Sequence, residues 1–179
     1  LVVQLFIFTC ASSWFVWRNK KQYDLIHTQK TETLFADVVT MHSCHAAGIK
    51  QLNQISKEEN GMFFGWVMAL LRYMRPINWL RLFVEWFVVT HGARHVIAVS
   101  SGVKKELIRE YAITTEKISV IPNGIDVNQF SPRFDNNNDL LQTLSIPGNA
   151  KVLFFAGNGF RGKGLQYVID ALPLLEEKN

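Results

Sequence analysis

The chain has 179 residues, a formal net charge of +4 and 48% hydrophobic residues, enough apolar material to bury a core as one domain or as one domain with part of a second. Its cations lie between apolar blocks and form no long basic tract, which argues against dedicated nucleic-acid binding and for anionic small molecules or a membrane surface. Cys10 and Cys44 have no metal-ligand partners at the usual spacing and read as reduced structural thiols of a cytosolic protein.

The first run, residues 1–17, is almost uncharged and is followed by Arg18, Lys20 and Lys21. The charges stand on the wrong side for a signal peptide. For a membrane span the run is short and is interrupted by Gln4, Thr9, Ser12 and Ser13. It reads as a helix packed against a sheet, in preference to an in-plane membrane helix.

Stretches of strand length and β-branched or aromatic content follow at 23–28, 36–42, 96–100, 118–121 and 152–156, with helix-length segments between several of them. Strands alternating with helices predict an open parallel sheet with ligands at the carboxyl ends of its strands. His27, His42, Ser100, Asn123 and Gly157 fall at or near such ends. The insert 49–92 departs from this rhythm. Within it Met62, Phe63, Phe64 and Trp66 precede Arg72 and Arg75, a mixture suited to a lipid headgroup interface, whereas 79–89 reads as helical packing.

Pro122 and Pro132 bracket a linker, and the polar stretch 133–139 offers few core residues before a new apolar run opens at Lys151. The expected organisation is a first α/β domain over 1–132 and the start of a second over 133–179.

The second segment carries the strongest local motif. An apolar run ends at Gly157, then Gly159, Arg161, Gly162, Lys163 and Gly164 follow, and Leu165, Val168, Ile169 and Leu172 recur at helical spacing. Strand, tight loop and helix bring backbone N–H groups and cationic side chains toward one point, the outline of a phosphate site. The string fits three patterns. As a dinucleotide fingerprint it lacks an acidic residue about twenty positions on, since Glu176 and Glu177 come too early; as a magnesium-assisted phosphate loop it has Gly164 where a hydroxyl belongs. The third is the diphosphate grip of nucleotide-sugar transferases, and a glycine-rich turn with solvated cations is the plain alternative.

Taken in order, His27 and His42 at strand ends, Val96-Ile-Ala-Val-Ser100 with Lys104 and Lys105 behind it, Ile121-Pro122-Asn123-Gly124-Ile125-Asp126 with Phe130 and Pro132, and Gly157 with Lys163-Gly164 resemble the group 1 (GT4-like) glycosyltransferases of GT-B fold. The resemblance runs from about Tyr23 onward. It implies a Rossmann-like parallel-sheet domain, in part, and the first βα unit of a second Rossmann-like domain. It also implies a retaining transfer from a nucleotide-diphosphate-sugar donor to an envelope glycan or lipid-linked acceptor, on the cytoplasmic side and peripheral to the membrane.

Carried over residue by residue, the resemblance places His42 in the cleft near the donor sugar as the catalytic candidate, and His45 on the acceptor side. Gly157, Lys163 and Gly164 match the donor-diphosphate grip. The family's basic residue directly after the first glycine is Asn158 here, and Arg161, three residues along, is the candidate to replace it. No metal or other cofactor is implied, because protein cations neutralise the diphosphate, and His42, Cys44 and His45 are spaced too tightly for a zinc site. The family's opening strand with its glycine-rich loop and its Glu-x7-Glu motif are not found, so the chain reads as an interior fragment, inactive by itself. The competing reading from another class is a non-catalytic nucleotide- or phosphate-binding module built on 157–164.

Overall fold

The structure is a computed structural model that describes residues 2–130, 138–157, 160 and 163–176. The chain divides into two compact units, Leu1–Asp126 and Val127–Asn179. In the first unit, helix α1 (Val2–Asn19) precedes strands β1 (His27–Gln29) and β2 (Ala36–Met41). Helices α2 (His45–Tyr73) and α3 (Pro76–Phe87) follow, then β3 (Ala93–Ala98), α4 (Ser101–Tyr111) and β4 (Ile118–Val120). The second unit contains α5 (Asn138–Thr143) and α6 (Leu165–Glu176).

The strands form one sheet in the order β1-β2-β3-β4, and every neighbouring pair is parallel. Register places Val39 beside Val96, Met41 beside Ala98, and Val96 beside Ile118. Side chains alternate across a pleated strand, so these residues share one face. There they join Ala47 of α2, Val84 of α3, Val88 and Leu107 of α4 in the buried core. The other face carries polar pairs, His27 Nε2 with Thr40 Oγ1 at 2.8 Å and His95 Nε2 with Ser119 Oγ at 2.9 Å. The result is the mixed α/β, Rossmann-like architecture expected from the alternation of apolar strings.

Parallel strands normally return through a helix, but β1 and β2 are joined by residues 30–35 alone. Lys30, at φ 59°, turns the chain, and its N–H donates to the Thr40 carbonyl at 2.8 Å. The irregular backbone behind it is held by α1: Ser13 Oγ accepts from Leu34 N–H at 2.9 Å and Ser12 Oγ donates to the Glu32 carbonyl at 2.6 Å. Helix α1 therefore turns Thr9 and Ser13 inward, 4% and 5% exposed, while its aromatic residues face out. It lies beside the crossover loop and α3 and does not cover the sheet with an apolar face, as the sequence had suggested.

Helix α2 is broken at Gly61, which takes φ 78° and ψ 167°. Its two arms fold back on each other. Arg72 donates to Asn53 Oδ1 at 2.7 Å and Ser56 Oγ at 2.6 Å, and a Cβ on Gly65 would stand 2.5 Å from Lys57 Cα. The long insert is thus a helical hairpin whose arms touch through small residues.

Three strands differ from the sequence reading. β1 covers only His27–Gln29 and begins four residues later than the expected 23–28. β3 starts at Ala93 and stops at Ala98, because Ser100 is used instead as the N-cap of α4, its Oγ accepting from Val103 N–H at 3.2 Å. Residues 151–157 form no strand. A strand exists only in a ladder, and among the described residues the second unit offers no partner strand, so Phe154 stays 89% exposed despite its β propensity.

Alanine at 61 must adopt a backbone region nearly reserved for glycine, and alanine at 65 must push into a helix backbone. Gly61→Ala and Gly65→Ala should each cost about 1–3 kcal/mol. Gly48→Ala, with nothing within 4 Å of the added methyl, should stabilise α2 by about 0.5–1 kcal/mol. Thermal denaturation followed by circular dichroism distinguishes the three.

Candidate active site

The carboxyl ends of β1 and β2 present Gln29, Lys30 and the segment 42–45 side by side. His42, the residue after β2, is exposed, and its Nε2 pairs with Gln29 Oε1 at 2.9 Å. That bond aims the ring along the strand ends, where an imidazole can meet a ligand hydroxyl or a developing charge. His45, three residues on, opens α2 and faces elsewhere. It lines a cavity of about 370 Å³ together with Lys30, Glu32, Ser43, Arg81 and Glu85. Its Nε2 is buried without a hydrogen-bond partner. Burial first, and then the Arg81 guanidinium, hold its pKa below the usual histidine value, which favours neutral imidazole.

Glu85 organises this end of the unit. It is 6% exposed and projects from α3 onto the first turn of α2, where both carboxyl oxygens accept from His45 N–H at 2.8 and 3.1 Å. Tyr111, at the end of α4, donates its hydroxyl to Glu85 Oε1 at 2.5 Å. The Ala46 N–H and the Cys44 thiol also act to lower its pKa. An acidic side chain from another helix thus occupies the N-terminus of α2, where unpaired donors and the helix dipole favour it. Burial nevertheless raises the Glu85 pKa more than these bonds lower it. The same environment pushes the Cys44 thiol up to about 11 and raises Tyr111, so neither is an activated nucleophile.

In the second unit Lys163 folds across Gly157. A Cβ at Gly157 would stand 2.6 Å from Lys163 Cδ and 3.1 Å from its Nζ, so the flexible lysine side chain lies directly on the glycine. Gly164, at φ 75°, makes the turn into α6, and its carbonyl accepts from Val168 N–H at 3.3 Å. Gly157, Lys163 and the start of α6 therefore lie close together. Arg161 and Asn158 lie outside the described residues.

The structure brings Gly157, Lys163 and Gly164 together in one unit, and His42 and His45 to the same loop of the other with different exposures. Sequence reasoning missed Lys30 and Arg81 as cavity residues and read the helix that carries Glu85 only as packing. The available signal was Arg81 and Glu85 at i and i+4 on an otherwise apolar helix; the left-handed turn at Lys30 left none. Among the described residues, no group of three or more His, Cys, Asp or Glu stands together as a metal-ligand set.

Residues 3–129 match the sequence family described as Glycosyltransferase Family 4. The chain belongs to that family. Similar proteins include an uncharacterized glycosyltransferase of Methanocaldococcus jannaschii, 21% identical over 88% of this chain and 38% of that protein. A D-inositol 3-phosphate glycosyltransferase of Corynebacterium kroppenstedtii is 28% identical over 100% of this chain and 38% of its own length. The UDP-Gal:alpha-D-GlcNAc-diphosphoundecaprenol alpha-1,3-galactosyltransferase of Escherichia coli is 23% identical over 90% and 38%. The chain therefore spans well under half the length of these relatives.

Removing the Glu85 carboxyl leaves buried donors unpaired, so Glu85→Ala should cost about 2–4 kcal/mol. The pH dependence follows from the sign of the shift. With its folded pKa above 4.5, the folded state holds the proton longer, so the contribution is complete below 4.5 and is lost as pH rises through the folded pKa. Stability measured by urea titration should fall over that window in the parent and lose that component of its slope in Glu85→Gln.

Proposed function

We propose that this chain contributes to a glycosyltransferase that moves a sugar from a nucleotide-diphosphate donor to an envelope glycan or lipid-linked acceptor with retained configuration. The family match over residues 3–129 carries the reading, and the contiguous Gly157, Lys163 and Gly164 support it. Two relatives bear names of this chemistry, one with a UDP-sugar donor and a diphosphoundecaprenol acceptor and one with an inositol phosphate acceptor.

In this reading, residues 1–132 serve the acceptor and 133–179 begin the nucleotide-sugar-binding domain. Lys163 and the backbone at Gly157 and Gly164 neutralise the diphosphate as the glycosidic bond breaks, with Arg161 as second cation in place of the family's residue at Asn158. Protein cations supply this charge, so the grip needs no metal. His42 steadies the sugar or its developing charge. His45, neutral and unpartnered in its cavity, accepts from or donates to an acceptor hydroxyl beside Lys30 and Arg81. The enzyme works at the cytoplasmic face of a membrane, with Met62, Phe63, Phe64 and Trp66, all at least 60% exposed, meeting lipid. Among the described residues no helix is long and apolar enough to cross one.

In the longer enzyme, Lys163→Ala should lose about 2–4 kcal/mol of transition-state stabilisation, seen in kcat as well as donor KM. Arg161→Ala should match it only if Arg161 is the second cation. Turnover of nucleotide sugars by Lys163→Ala at the parental rate under subsaturating donor would make the loop a structural turn. For the membrane contact, replacing Phe63, Phe64 and Trp66 by Ser should weaken co-sedimentation with anionic vesicles, and salt should weaken it further through Arg72 and Arg75.

A further inference from the structure

Helix α1 is built inside out. Its inward stripe contains Thr9, Ser12 and Ser13, and two of those hydroxyls hold the backbone of the 30–35 crossover. Its outward stripe is Val3, Phe6, Ile7, Cys10, Trp14 and Trp17, spaced three and four apart on one side of the helix, an arc of about 100°. Phe6, Ile7, Trp14 and Trp17 are 54%, 59%, 57% and 69% exposed. Turning the aromatics inward would take Ser12 and Ser13 away from the exposed Glu32 carbonyl and the half-buried Leu34 N–H that they now bond.

We propose that α1 is an in-plane membrane helix, with Phe6, Ile7, Trp14 and Trp17 in the boundary between headgroups and acyl chains of an anionic bilayer and Arg18, Lys20 and Lys21 at its phosphates. Charge complementarity selects this occupant. No Asp or Glu occurs before Asp24, all the cations of this segment cluster at the C-terminal end of α1 beside both tryptophans, and the Arg18 guanidinium lies 5.3 Å over the Trp14 ring. Tryptophan beside arginine and lysine at one end of an apolar stripe is the composition of a lipid interface, where the ring is half wet and the cations meet phosphate. Eighteen residues give a helix of about 27 Å, suited to lying in the plane. The surface is separate from the α2 contact and independent of the glycosyl-transfer chemistry.

Cys10 is exposed on the outward stripe and Cys44 is buried, so an environment-sensitive fluorophore can be placed on Cys10 of the whole chain. Mixed with phosphatidylglycerol vesicles, the labelled protein should show a blue shift and quenching by bromolipid, both absent with phosphatidylcholine and reduced by salt. The Trp14→Gln, Trp17→Gln double variant, whose changes touch only the outward stripe, should bind the anionic vesicles about tenfold more weakly. The Phe63, Phe64 and Trp66 variant measured alongside separates the two surfaces. If the chain binds vesicles while the Cys10 probe neither shifts nor is quenched, α2 alone meets lipid and the proposal fails. It also fails if the tryptophan changes abolish a concentration-dependent dimer and leave vesicle binding intact. Protection of Cys10 from labelling in the longer protein without lipid would show that polypeptide covers the face, and would overturn it too.

Discussion

A single buried carboxyl group ties the first unit together. Glu85 reaches from α3 to the first N–H groups of α2 and receives the hydroxyl of Tyr111 from α4, so three helices meet at one side chain beside the ends of β1 and β2. A helix start buried without a partner would leave several donors unsatisfied. Here that demand is met by a group that itself needs donors, and each cost offsets the other. Because His42 and His45 stand on the turn this contact fixes, the position of the candidate site follows from the same interaction.

The crossover between β1 and β2 imposes a second constraint. Six residues cannot form a covering helix, so their polar backbone must be satisfied by neighbours, and α1 supplies hydroxyls for it. An apolar helix face in its place would leave the Leu34 N–H without the Ser13 acceptor. The outward turn of the α1 aromatics is thus a consequence of the short connection, not an isolated feature of that helix.

Charge is divided between the two units according to chemistry. The cavity beside His45 mixes Lys30 and Arg81 with Glu32 and Glu85. The second unit instead sets a lysine ammonium over a glycine at a helix start, a place for anions.

The sequence by itself determined the alternation of strands and helices in the first unit, the position of β2, and the helix that follows Gly164, because β-branched runs and glycine punctuation act locally. Family membership was legible too, from motifs weak singly and specific in order. Other features depended on partners distant in the chain. Val96 alone marks a strand, but only the pairing of Ala36 with Ala93 extends β3 backward, and 151–157 meets no partner strand among the described residues. Glu85 in the sequence is one acid on an apolar helix; its role exists because α2 and α4 converge on it. Nor could the string 1–17 say which side of α1 faces in. Nearly every position is apolar, and the choice was made by the hydrogen-bonding demand of a loop about twenty residues away.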